Sequence, residues 1–119
     1  MKFSSKIVTG HGVGRELGFP TLNFKIPKNF AIEPGVYAAR LFLGQLEFPA
    51  ILFFGKRETF DSSQTLEIHV LEEFKESPTS AEFEVLQKIR DTAKFNSKEK
   101  LSEQIQKDVA AAREILGVR

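Results

Sequence analysis

Gly10-His11-Gly12-Val13-Gly14-Arg15-Glu16-Leu17-Gly18-Phe19-Pro20-Thr21-Leu22-Asn23 is the stretch on which the reading of this chain turns. Four glycines fall within nine residues, with Arg15 among them and Pro-Thr-Leu-Asn behind. Glycine permits positive φ and lets backbone N–H groups approach a ligand with no Cβ in the way. Such amides, with a guanidinium nearby, suit phosphate oxygens. Thr21 and Asn23 add two neutral oxygen donors of the hard type that Mg²⁺ takes. The glycines alone read as a hairpin loop between two strands. With Arg15 and Pro20-Thr21-Leu22-Asn23 added, the segment reads as a loop for nucleotide phosphates and a metal.

The common phosphate loops are excluded by spacing. A P-loop requires Gly-x-x-x-x-Gly-Lys-Ser/Thr, and no lysine lies between Lys6 and Lys25. A dinucleotide fingerprint starting at Gly10 would need glycine at Arg15, and one starting at Gly12 would need it at Leu17.

Outward from this loop the chain reads as short strands. Lys2 to Thr9 leads into it, and Leu22 to Ile26 follows. Pro27 to Pro34 is a loop closed by the turn signal Glu33-Pro34-Gly35. Gly35 to Leu43 and Leu46 to Phe54 form a hairpin about Gly44-Gln45. Lys56 to Gln64 is polar and loop-like. Thr65 to Glu72 alternates, with Leu66, Ile68 and Val70 on one face and Thr65, Glu67, His69 and Leu71 on the other. Lys75 to Ser80 is a loop, and Ala81 to Arg90 resumes strand character. From Asn96 to Leu116 the period becomes helical: Leu101, Ile105, Ala112 and Leu116 share a stripe with Val109 beside it. Asn96 and Glu99 have capping-box spacing, and Gly117 stands at the C-cap. Several strands followed by one long helix predict antiparallel β structure with a C-terminal helix against it, an order that a closed or nearly closed barrel would satisfy.

The 119 residues suffice for one domain and are too few for two. Lysine plus arginine total 17 and aspartate plus glutamate 16, scattered without a basic run, so no nucleic-acid partner is expected. The absence of cysteine removes disulfides, thiolate metal sites and cysteine nucleophiles, and fits a cytoplasmic protein. No apolar stretch reaches the roughly 18 residues that span a membrane, and residues 1–10 lack a signal core. Twelve phenylalanines and no tryptophan predict a small core filled by Phe.

At Gly14-Arg15-Glu16-Leu17-Gly18-Phe19-Pro20-Thr21-Leu22-Asn23 the chain resembles the riboflavin kinases, whose Gly-rich flap precedes Gly-Phe/Ile-Pro-Thr-x-Asn. Leu66-Glu67-Ile68-His69-Val70-Leu71 resembles that family's strand with Glu-x-His. Gly35-Val36-Tyr37, Lys88-Ile89-Arg90-Asp91, Lys94-Phe95-Asn96-Ser97 and the helix pattern Leu101, Gln104-Ile105, Asp108 also match. The resemblance runs from about Gly10 to Arg113 and implies a mainly β fold, a six-stranded antiparallel Greek-key type barrel with a long C-terminal helix, filling residues 1–119 as a single domain.

It also implies transfer of the ATP γ-phosphate to the riboflavin 5′-hydroxyl, giving FMN and ADP. Gly12, Gly14, Arg15 and Pro20 would belong to the nucleotide flap. Thr21 and Asn23 would hold Mg²⁺ and the terminal phosphates, Glu67 would be the base, and Arg90 would touch the flavin. The residues themselves leave alternatives open. Glu67 could be a solvent-facing charge on an amphipathic strand, and Arg90 a salt-bridged surface arginine. His69 reads as a hydrogen-bonding histidine and His11 as a solvated loop residue.

Two departures stand out. Phe53-Phe54-Gly55-Lys56-Arg57-Glu58-Thr59-Phe60 lacks the family's asparagine and proline, and Glu76-Ser77-Pro78-Thr79-Ser80 replaces its Gly-Asp-Leu/Phe-Tyr-Gly loop. They motivate a second reading, a flavin- or nucleotide-binding module that has lost turnover. A ligand-free barrel interaction domain is a third. The resemblance covers only the kinase part of the bifunctional bacterial enzymes, so FAD synthesis is not expected of these residues. It implies an FAD synthetase domain as the remainder of a longer chain or as a partner.

Overall fold

The computed structural model describes residues 1–8, 20–56 and 64–118. Six strands, β1 (Lys2–Val8), β2 (Thr21–Phe24), β3 (Gly35–Leu43), β4 (Leu46–Lys56), β5 (Gln64–Val70) and β6 (Ser80–Arg90), precede one helix, α1 (Lys98–Leu116). The strands close into an antiparallel barrel in the order β1-β2-β5-β4-β3-β6. The run β6-β3-β4-β5 is a Greek key, because the fourth strand returns to lie beside the first.

Closure gives each strand two fates. Inward residues fill the barrel: Phe83, Leu41, Leu52, Leu66, Ile68 and Val70 are fully buried. The expected phenylalanine core is present. Phe24 meets Phe83 edge-on at 5.1 Å, and Phe30, from the loop before β3, reaches Phe54 at 4.8 Å across one end. Outward residues are not all solvated. Val36, Ala38 and Ile51 face outward, yet are buried under Val109, Ala112 and Leu116 of α1. Burying each larger side chain fully contributes about 1.5–3 kcal/mol, so this second core fixes the helix on the β3–β4 side of the wall.

Several boundaries differ from the sequence expectation. β2 begins at Thr21, because β5 offers it His69 as a pairing partner. β4 continues to Lys56, which pairs with Gln64. Pro49 is tolerated inside β4 because it precedes the start of the β5 ladder at Ala50↔Val70. The β3–β6 ladder shifts register between Val36 and Tyr37 and again between Ala38 and Ala39, the irregularities that bend a sheet toward closure.

The helix start is corrected by one residue. The cap is Ser97, not Asn96: its backbone is extended (φ −150°, ψ 160°), and its hydroxyl accepts from the Lys100 N–H at 3.2 Å. Serine at this position satisfies an N–H that the first turn leaves without a helical partner, while Glu99 complements the helix dipole. Ser97→Ala is expected to lower stability by about 1 kcal/mol, read as a reduced urea midpoint with unchanged slope. Gly117 closes the helix at φ 69°, as its position predicts.

Candidate active site

The register of β2, β5, β4, β3 and β6 brings the candidate residues together. Opposed residues of an antiparallel ladder point to the same face. One row across the outer wall therefore reads Thr21, His69, Ile51, Ala38, and the next reads Asn23, Glu67, Phe53, Val36, Arg90. Residues from distant parts of the sequence become neighbours through backbone pairing alone.

Glu67 is fully buried, which overturns the reading of it as a solvent-facing charge. Outward on β5 does not mean into water. Its β4 neighbour is Phe53 and its β2 neighbour is Asn23. His69 is half-buried, and its Nδ1 lies 3.0 Å from Thr21 Oγ1. Pro20 accepts a hydrogen bond from the Val70 N–H at 2.9 Å, anchoring the start of β2. Gly12, Gly14 and Arg15 lie outside the described residues, as does His11.

A cavity of about 460 Å³ opens between this wall and α1. Its walls are mostly apolar: Ile51 and Phe53 from β4, Leu101 and Ile105 from α1, and Phe95 from the β6–α1 connection. Glu67, His69, Arg90, Lys56 and Lys94 bring polar groups to it. A largely apolar cleft of this size with a few convergent polar groups is the usual form of a small-molecule site. Thr21 and Asn23 are not part of the lining. They stand beside it, one strand over from His69 and Glu67.

Arg90 is ion-paired, as one of its two readings expects, at a position bordering the cavity. Its Nε and Nη2 donate to the Asp108 carboxylate at 2.9 to 3.1 Å, and its guanidinium lies 5.5 Å from the Phe95 ring centroid. It is thus ion-paired, yet it also borders the cavity. Asp108 is 3% exposed and accepts a further bond from Gln104 Nε2 at 3.0 Å. Sequence reasoning gave Asp108 no task. The available signal was a carboxylate three residues after Ile105 and four before Ala112, on the buried stripe of the helix. Near the end of β6, Lys88 donates to Asp91 at 2.6 Å. That bond holds the Asp91 carboxyl below its usual range and raises Lys88 above its own.

The donor set bears on a metal. Among the described residues no cluster of three or more His, Asp or Glu could cage an ion. A threonine hydroxyl and an asparagine amide, two residues apart on one face of β2, instead suit Mg²⁺ that arrives on phosphates and keeps water ligands. The residues fit a metal–nucleotide and do not fit a free-ion store.

Comparison with known proteins bears on the family and the fold. The family model described as Flavokinase, riboflavin kinase, matches residues 1–116. The chain is 35% identical over 113 residues to a bifunctional riboflavin kinase/FMN adenylyltransferase of Buchnera aphidicola, covering 89% of this chain and 36% of that protein. It thus spans about a third of the length of such curated relatives. A crystal structure named as a macrolide-efflux protein from Streptococcus pneumoniae superposes with a TM-score of 0.81 at 25% identity, over 94% of this chain and 38% of that one. The riboflavin kinase of Trypanosoma brucei superposes with a TM-score of 0.66 at 23% identity, over 98% of this chain and 79% of that one, a likeness of fold. Among the described residues no helix is long and apolar enough to cross a membrane.

Proposed function

The chain belongs to the riboflavin kinase family, and on that premise we propose that it transfers the γ-phosphoryl group of ATP to the 5′-hydroxyl of riboflavin, giving FMN and ADP. The observation that carries the proposal is the juxtaposition of the Thr21–His69 and Asn23–Glu67 pairs with the apolar cavity under α1. Phosphoryl transfer to an alcohol needs held phosphates, neutralised charge and an acceptor for the hydroxyl proton. The opening loop with Thr21 and Asn23 is read as supplying the first two, and Glu67 the third.

In this reading the isoalloxazine ring lies against Phe53, Leu101 and Ile105, with Arg90 at its edge. The ribityl chain runs toward Glu67. Gly12, Gly14, Arg15 and Pro20 are assigned to nucleotide binding, and Thr21 and Asn23 would hold Mg²⁺ with the terminal phosphates. Bound Mg²⁺ supplies charge neutralisation on the transferring group. The ribityl oxygen attacks the γ-phosphorus, the bond from that phosphorus to the bridging oxygen breaks toward ADP, and the hydroxyl proton passes to Glu67. Residues 1–119 act as one kinase unit, placed in the cytoplasm where ATP is the phosphoryl donor. An FMN adenylyltransferase domain is its natural companion, in the same chain or as a partner.

The deciding experiment incubates the protein with riboflavin, ATP and Mg²⁺ and separates flavins by chromatography. FMN is expected. Riboflavin binding without FMN would leave the binding module that the altered loops at 53–60 and 76–80 suggest. Thr21→Ala and Asn23→Ala are each expected to weaken Mg²⁺·ATP binding about tenfold, which is about 1.4 kcal/mol. Normal turnover in both would remove β2 from the metal site.

A further inference from the structure

The contact between Thr21 and His69 carries a consequence for how a metal would meet β2. Thr21 Oγ1 and His69 Nδ1 lie 3.0 Å apart, and the two residues are directly opposed across the β2–β5 ladder. A threonine hydroxyl has one proton and two lone pairs, and a neutral imidazole has one donor and one acceptor nitrogen. Two polarities satisfy the distance. If Nδ1 donates, one lone pair of Oγ1 is spent, one is left for a cation, and the hydroxyl proton is not fixed by the ring. If Nδ1 accepts, with the ring proton on Nε2, the hydroxyl proton is directed at the ring and both lone pairs are left for other partners. The second polarity leaves Oγ1 two lone pairs for a divalent cation where the first leaves one, and it holds the hydroxyl proton away on the ring.

We propose that His69 is a positioning residue that takes the Thr21 hydroxyl proton in a hydrogen bond at Nδ1 and so presents the Thr21 oxygen, lone pairs outward, to the metal–nucleotide. The inference rests on the reading of Thr21 as a ligand, given above. His69 is well placed for the task. Its backbone is paired on both sides, to Thr21 in β2 and to Ile51 in β4, so the ring is carried on the middle strand of three. The same ring borders the cavity under α1 and stands between that space and β2. Outer partners of this kind fix the orientation of a ligand, and their loss typically costs roughly 10- to 100-fold in metal affinity or activity.

The test separates geometry from mere polarity. In His69→Asn the side-chain oxygen occupies about the place of Nδ1 and still accepts the Thr21 proton. In His69→Gln the amide reaches toward the Nε2 position instead. Both replacements are neutral and polar, so a purely structural need would treat them alike. Calorimetric titration of Mg²⁺·ATP without riboflavin reads binding directly. His69→Gln is expected to weaken it by up to about tenfold, no more than the loss of Thr21 itself, and His69→Asn to stay within about twofold of the unaltered protein. In steady state the loss in His69→Gln should appear as a raised KM for ATP more than as a lowered kcat. In a Thr21→Val background, His69→Gln should add nothing further.

Unchanged binding in His69→Gln, or equal losses in the Asn and Gln variants, overturns the positioning role. So does a full additional loss in the Thr21→Val background. Thr21→Val alone distinguishes the two levels. If it binds Mg²⁺·ATP normally, the ligand role of Thr21 fails and the positioning role with it. If it binds weakly while His69→Gln does not, only the positioning role fails.

Discussion

Glu67→Gln is expected to depress kcat for FMN formation by roughly 10²- to 10⁴-fold, the usual contribution of a general base, while riboflavin binding survives. The substitution keeps the shape of the side chain and removes its charge and its capacity to take up a proton. Phosphoryl transfer asks little covalent work of a protein beyond positioning and proton acceptance, so the loss should fall on kcat. Glu67 is fully buried between Asn23 on β2 and Phe53 on β4. A carboxylate in the wall beside a ligand-sized cavity differs from a surface charge, whose replacement changes stability or rate little. Single-turnover formation of FMN at saturating riboflavin and ATP measures the effect without product release. Full activity in Glu67→Gln would rule out the base. A thermal midpoint matching that of the unaltered protein, together with a slow transfer step, is the expected pair of results.

The strands were legible because alternation is local. Leu66, Ile68 and Val70 announced the inner face of β5, and the structure buries all three. Gly44 and Gly117 marked a hairpin and a helix end, and both occupy positive φ. Closure was not legible from periodicity. β1 pairs with β6 and β2 with β5, contacts between distant segments that no local pattern encodes, and the resemblance alone pointed to the barrel.

The same limit governs the site. Alternation assigned Glu67 and His69 to the outer face, as observed, but could not tell that this face lies under a helix and a cavity rather than in water. Burial there depends on α1 docking on β3 and β4, through Val109, Ala112 and Leu116. Asp108 was missed for a related reason. A carboxylate on a helix reads as solvated until its partner is known, and its partner, Arg90, lies at the end of β6 beyond a register shift.

Asp108→Ala is expected to cost about 3–5 kcal/mol, the usual result of removing one member of a buried ion pair. For a domain of this size the thermal midpoint should fall by on the order of 10 °C or more. The wild-type carboxylate is 3% exposed and accepts from Nε and Nη2 of Arg90 and from Nε2 of Gln104. Its removal strips three hydrogen bonds from a guanidinium whose side chain is only 21% exposed. The pair joins the end of β6 to the middle of α1, along one side of the cavity. Its loss should therefore loosen the helix against the wall and release Phe95, which lies beneath the same guanidinium. Riboflavin binding should weaken more than Mg²⁺·ATP binding, because Phe95, Leu101 and Ile105 line the cavity while Thr21 and Asn23 belong to β2. Asp108→Asn, which keeps an acceptor oxygen and loses the charge, should fall between the two. Arg90→Lys should not substitute, since an ammonium cannot reproduce the two-pronged contact. An unchanged midpoint in Asp108→Ala would reduce the pair to the worth of an exposed salt bridge, and equal losses for both ligands would break its link to the flavin side of the cleft.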